Sequence, residues 1–149
     1  MAICRFERDI TIAAPRERVF AELAEPARFL GLQPLLTEVR EVPAAPGVRA
    51  FEACERVPLF GRLAVRNRLH VELTPLPAQD LVAFEARAPL GIRLVGSFGI
   101  RAEGTATRVR ESVRLHCPLV LRRFIEREAI RAQESLLENL KRRLEVPLG

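Results

Sequence analysis

The chain has no tryptophan and no tyrosine, one methionine, two histidines and three cysteines in 149 residues, and Lys141 is its only lysine. Each scarcity excludes something. Without Trp or Tyr there is no indole or phenol ring on which successive nucleic-acid bases could stack. The cysteines, Cys4, Cys54 and Cys117, are odd in number and far apart, with no CxxC spacing, which argues against a disulfide framework or a thiolate metal site and points to a reducing cytoplasm. No run approaches the ~20 apolar residues of a membrane span, and residues 1–15 mix charged and apolar positions without the apolar core of a signal peptide. The net charge of +5 is therefore carried almost wholly by arginine. These arginines are interleaved with glutamates along the chain and form no basic block, so nucleic acid is not an expected partner.

What is present is a foldable core. Hydrophobic residues make up 48% of the chain and charged residues 29%. A chain of this length can bury a continuous core, so residues 1–149 are expected to form one domain. Residues 4–12 alternate, with Phe6, Ile10 and Ile12 on one face of a first strand. Ala13-Ala14-Pro15 ends it, and Val19, Phe20 and Leu23 then repeat at helical spacing over 15–24. Pro26 breaks this helix, and the stretch with Phe29, Leu32 and Leu36, interrupted by Gly31 and Pro34, suits one or two short helical turns.

Strand-like runs follow at 37–42, 48–57, 63–73, 81–88, 92–102 and 105–117, separated by turns at Pro43–Gly47, Phe60-Gly61, Pro75–Asp80, Pro89–Gly91 and Glu103-Gly104. Short turns with no intervening helices imply an antiparallel meander. Residues 119–145 contain neither Gly nor Pro and predict one long helix, with Leu121, Ile125, Ala129, Ala132, Leu136 and Leu140 along an apolar stripe. The fold class is α+β.

The order strand, helix, short helix, six-strand meander, long helix resembles the START-like or SRPBCC superfamily, the helix-grip fold. The opening ITIAAPRERVFAELAEPARFLGLQPLLTEVREV carries the most specific likeness, closest to the polyketide cyclase/dehydrase and lipid-transport families. The resemblance implies a curved seven-stranded antiparallel sheet wrapped around the long C-terminal helix, enclosing a cavity for a lipid, polyketide, quinone or similar hydrophobic molecule. It implies no single activity. The iron-dependent dioxygenase branch is set aside, since it needs two histidines and a carboxylate, and neither His70 nor His116 falls near such a set. No metal and no other cofactor is expected; monomer and homodimer both stay open.

Within the apolar phases, two polar residues stand out. Asn67 shares a phase with Val65, Leu69, Val71 and Leu73, and Glu111 shares one with Val109, Val113, Leu115 and Cys117. A buried carboxylate must be paired, hydrogen-bonded or kept neutral. Glu111 can thus be a satisfied core group, bridged to an inward arginine such as Arg56, or a polar anchor or acid/base in an apolar pocket; a bulge could also turn it outward. Strand three offers two phases, Ala50-Glu52-Cys54-Arg56 or the more apolar Phe51-Ala53-Glu55-Val57. The first would gather Glu52, Arg56 and Glu111 into a charged cluster. Gly91, Gly96 and Gly99 lack the strand-to-helix context of a phosphate loop and mark a bend in the sheet.

Ala129 and Ala132 are small residues in the middle of the helix stripe. They either allow close packing or floor a cavity walled by Phe84, Leu94, Phe98, Ile100 and Leu136, with Phe20, Phe29, Leu32 and Leu36 at its mouth. Two functions fit. One is a carrier that binds its ligand by apolar burial, oriented by Asn67 and Glu111. The other is a polyketide cyclase or dehydratase using Glu111 as an acid/base. A third, an interaction module with an arginine-rich outer face, needs no cavity at all.

Overall fold

The computed structural model describes residues 1–58 and 61–146. Strand β1 (Ala2–Ile12) runs two residues further back than the alternation suggests. Pro15 sits extended as the N-cap of helix α1 (Arg16–Ala24), which buries Val19 and Leu23. The helix stops where Pro26 forces Glu25 out of the helical region, to φ −103° and ψ 113°. The short element that follows is one 3-10 turn, Pro26–Phe29.

Strands β2 (Leu36–Val42), β3 (Arg49–Pro58), β4 (Ala64–Leu76), β5 (Leu81–Arg87), β6 (Arg93–Glu103) and β7 (Ala106–Cys117) complete the sheet. Its order is β1-β7-β6-β5-β4-β3-β2, antiparallel throughout, so the meander closes by bringing β7 back against β1. This is the helix-grip architecture. The expected turn at Phe60-Gly61 lies partly outside the described residues.

The sequence places the end of the fourth strand at residue 73, whereas β4 continues through Thr74-Pro75-Leu76. Proline is tolerated there because β3 has already ended: the β3–β4 register stops at Arg49 opposite Leu73, while Pro75 still faces Val82 of β5. With a neighbour on one side only, at most one ladder is exposed to its missing N–H.

The phase of β3 resolves as the apolar alternative. Phe51 and Ala53 are buried inside, and Glu52 turns outward beside His70 of β4, its carboxylate 3.4 Å from the imidazole Nδ1. Arg56 shares that outward phase, so the cluster of Glu52, Arg56 and Glu111 does not form.

The long helix α2 spans Arg122–Glu145, about 36 Å at 1.5 Å per residue, and Leu119–Leu121 ahead of it form a 3-10 turn instead of its first turn. Its two halves differ. Leu136, Leu137, Leu140 and Leu144 are buried in the main core, which also holds Ile12, Val19, Leu23 and Val109. Polar ties fix this half: Asn139 Nδ2 donates to the Leu32 carbonyl at 2.9 Å, Lys141 Nζ to the Thr11 carbonyl at 2.8 Å, and Arg143 to the Arg28 carbonyl at 2.8 Å. Further up, Arg8, on the inner phase of β1, pairs with Glu134 at 3.0 Å, and the Cys4 thiol donates to Glu126 at 3.0 Å. The helix is thus anchored along the β1 edge. No helix among the described residues is long and apolar enough to cross a membrane.

Gly96 of β6 is required by packing. A Cβ there would lie 2.2 Å from the Ser112 carbonyl oxygen and 2.8 Å from the ring of Phe84, whose residue pairs with Gly96 across the sheet. At Gly99 the nearest atom would be an ordinary 3.7 Å away. Gly96→Ala is therefore expected to destabilise the fold by roughly 2–4 kcal/mol and Gly99→Ala by less than about 1 kcal/mol. Denaturant midpoints of the two variants test this, and equal losses would mean that the Gly96 contacts relax freely.

Candidate functional site

The upper half of α2 covers space instead of filling it. Between this half and the inner face of the sheet lies a cavity of about 340 Å³. Leu69, Val71 and Leu73 of β4, Phe51 of β3 and Phe84 and Ala86 of β5 form its apolar wall. The helix contributes Phe124, Ile125, Ala129 and Ala132. Leu90 and Leu121, both exposed, stand at its open end.

Nine of the residues expected at a cavity are on this wall. Ala129 and Ala132 face it from the helix with Leu136, while Phe84, Leu94 and Phe98 face it from the sheet. Phe84 and Phe98 stack at 5.0 Å between ring centroids. Phe29 and Leu36 close the side formed by the 3-10 turn and β2, and Asn67 projects from β4.

Four expected residues are elsewhere. Leu32 is fully buried in the main core. Ile100 is buried there as well, on the part of β6 that packs beneath α1. Phe20 leans on that core from α1, with the Arg16 guanidinium 5.4 Å from its ring centre. These three fail for one reason: α1 fills its end of the sheet, so the cavity mouth lies at the opposite end, near Leu90.

The fourth is Glu111, which is inward as its phase requires but is not on the cavity wall. No described residue of β1 or β7 lines the cavity, because α2 lies over those strands and fills the space above them. Glu111 is 0% exposed, and neither carboxylate oxygen has a hydrogen-bond partner among the described residues. The expected bridge to an inward arginine is not made: Arg56 faces outward, and Arg8, beside Glu111 on β1, is engaged by Glu134. Burial pushes the Glu111 carboxyl up to about 8, opposed only in part by the positive charge of Arg8. The group is kept neutral.

The cavity instead holds Asn67, as expected, with Glu55 of the apolar β3 phase and three polar side chains that the sequence reading passed over. Glu55 and Asn67 are direct cross-strand partners, and Asn67 Nδ2 donates to Glu55 Oε1 at 3.4 Å. Burial raises the Glu55 carboxyl above its ordinary range, and the Asn67 bond opposes the shift. Gln33, Glu128 and Gln133 complete the polar set. The Oε1 atoms of both glutamines are buried without a partner among the described residues. Gln133 was detectable, since it lies one turn beyond Ala129 on the helix stripe. Gln33 was not, because it sits in an irregular segment with no period to read.

Residues 4–145 match the family described as polyketide cyclase / dehydrase and lipid transport. The chain belongs to this family. Solved structures agree in fold. The Zhui aromatase/cyclase from Streptomyces sp. R1128 superposes with a TM-score of 0.75 at 16% identity, covering 99% of each chain. A START superfamily protein from Mycobacterium smegmatis gives 0.77 at 12% identity, over 95% of this chain and 97% of that one. A protein from Thermus thermophilus, TTHA0849, gives 0.73 at 20% identity, over 95% and 97%. No curated protein matches this member by sequence.

The neutral state of Glu111 has a consequence for stability. Its ordinary value is 4.5 and its folded value about 8, so between these pH values the native chain holds a proton that the unfolded chain has released. Stability contributed by this site is complete below about pH 4.5 and is lost as pH rises toward 8, by on the order of 3–5 kcal/mol in total. Glu111→Gln should remove this decline, so that the variant becomes the more stable form at pH 8–9. Urea midpoints from pH 5 to 9 check it; parallel curves for the two proteins would refute the assignment.

Proposed function

We propose that this family member binds a hydrophobic small molecule in the cavity between the sheet and the upper half of α2. The observation that carries the reading is the cavity of about 340 Å³, walled mainly by Leu, Val, Ile, Phe and Ala side chains. Burial of apolar ligand surface supplies affinity at about 25 cal/mol per Å², and a few polar groups orient the ligand. Glu55 and Asn67 now take the anchoring role that Glu111 cannot fill from outside the wall. Ala132 supports the reading because a larger residue at this buried helix position would occupy the volume.

Native mass spectrometry of protein purified from its own host is the direct test, with an apolar molecule expected to co-purify. Ala132→Phe should weaken ligand binding about tenfold or more, by steric exclusion, while the fold persists or gains stability through better filling. Undiminished binding by this variant, or an empty protein that no lipid or aromatic compound stabilises, would defeat the proposal.

One observation favours catalysis as a second reading. Glu55 is a carboxyl of raised pKa inside an apolar cavity, with Asn67 fixing one of its oxygens. That arrangement suits proton exchange with a polyketide-like substrate, as in a cyclase or dehydratase. For any turnover found, Glu55→Gln should lower kcat by about 100-fold or more and remove the limb of the pH–rate profile that belongs to this carboxyl. A profile unchanged in Glu55→Gln would rule this acid out.

A further inference from the structure

The cavity lacks the positive side chains that dominate the protein. Among the described residues, no Arg, Lys or His lines the wall, although the chain carries a net charge of +5. The polar groups present are two acids, Glu55 and Glu128, and three amides, Gln33, Asn67 and Gln133. Nor does any Ser, Thr or Tyr hydroxyl reach it. On the outer face, by contrast, Arg87, Arg93, Arg108 and Arg110 pair with exposed or half-buried carboxylates.

Two buried amide oxygens of the wall also lack partners among the described residues. Gln133 is 8% exposed, and its Oε1 has no partner; Gln33 Oε1 is buried and equally unpartnered. Asn67 Nδ2 reaches Glu55 at 3.4 Å, near the limit of a hydrogen bond, which leaves the carboxyl with free acceptor positions. Glu128 has a 3.8 Å contact with the exposed Arg131, which lies off the wall. Buried acceptors without donors are satisfied when a ligand brings the donor.

Resting on the binding function proposed above, we propose that the cavity takes an apolar molecule whose polar end is a hydrogen-bond donor, a hydroxyl or an ammonium group, and that it rejects the carboxylate-ended analogue. The donor meets the free amide oxygen of Gln133, and Glu55 on the same wall favours it further. A carboxylate could use the amide N–H groups of the glutamines only by lying among Glu55 and Glu128, with no cation on the wall to offset the repulsion. Free fatty acids and other apolar acids are the class excluded.

A matched naphthalene series tests this: 2-naphthol, 2-(aminomethyl)naphthalene, 2-methoxynaphthalene and 2-naphthoate. Because the chain has no Trp or Tyr, the naphthalene emission can be followed without an indole or phenol background. The alcohol or the amine should bind about tenfold or more tightly than the methyl ether, with the carboxylate weakest. The tighter of the first two then identifies the donor. Gln133→Leu should weaken the donor ligand while leaving the methyl ether unchanged, and Glu55→Gln should narrow the discrimination against the carboxylate. If all four bind alike, or if naphthoate binds best, this inference fails while the cavity remains a ligand site. If none of the four binds, the binding function fails with it. A Gln133→Leu variant that loses the alcohol and the ether equally would mean that Gln133 shapes the wall without accepting a bond, which also overturns the assignment.

Discussion

The width of one helix is the constraint on which the rest depends. Seven strands at a spacing of about 4.8 Å make a sheet roughly 29 Å across, whereas a helix with its side chains is about 10–12 Å wide. A single long helix cannot cover such a face. Where it is anchored therefore decides what is core and what is cavity. Arg8–Glu134, Cys4–Glu126 and Lys141 on the Thr11 carbonyl hold α2 to the β1 edge, and Asn139 and Arg143 tie its lower half to the segment after α1. The uncovered strands, β2 to β6, line the cavity.

The same constraint separates two buried carboxyls that look equivalent along the chain. Glu111 and Glu55 both occupy inward phases, and burial raises both. Glu111 lies beneath the helix, where no polar atom of the described residues reaches it, and its proton is a matter of stability. Glu55 lies where the helix leaves space, with Asn67 beside it, and its carboxyl is within reach of a bound molecule. Chemistry follows from position under α2, since the side chains are identical.

Charge is partitioned in a similar way. Alternation along the strands sends most arginines outward, Arg8 excepted, and apolar residues inward, so the outer face is rich in ion pairs between side chains that are largely hydrated. Such pairs add little stability, about 0–1 kcal/mol each. Their effect is on the surroundings of the protein, while the cavity keeps only acids and amides and so has a polarity of its own.

Much of this was legible in the sequence. Period-two alternation, the Pro and Gly turn signals and the Gly- and Pro-free terminal segment determine the strands, their antiparallel order and the long helix, because these are local properties of the chain. The inward phases of Asn67 and Glu111, and the small residues Ala129 and Ala132, follow from the same periodicities. What no local pattern contains is the lateral position of α2 across the sheet, which is decided by contacts between residues more than a hundred positions apart, such as Arg8 with Glu134. Tertiary structure alone therefore decided that Glu111 is core, that Gln33 faces the cavity, and that α1 excludes Phe20, Leu32 and Ile100 from it. A strand's phase says which side a residue faces; only the packed helix says whether anything is there to meet it.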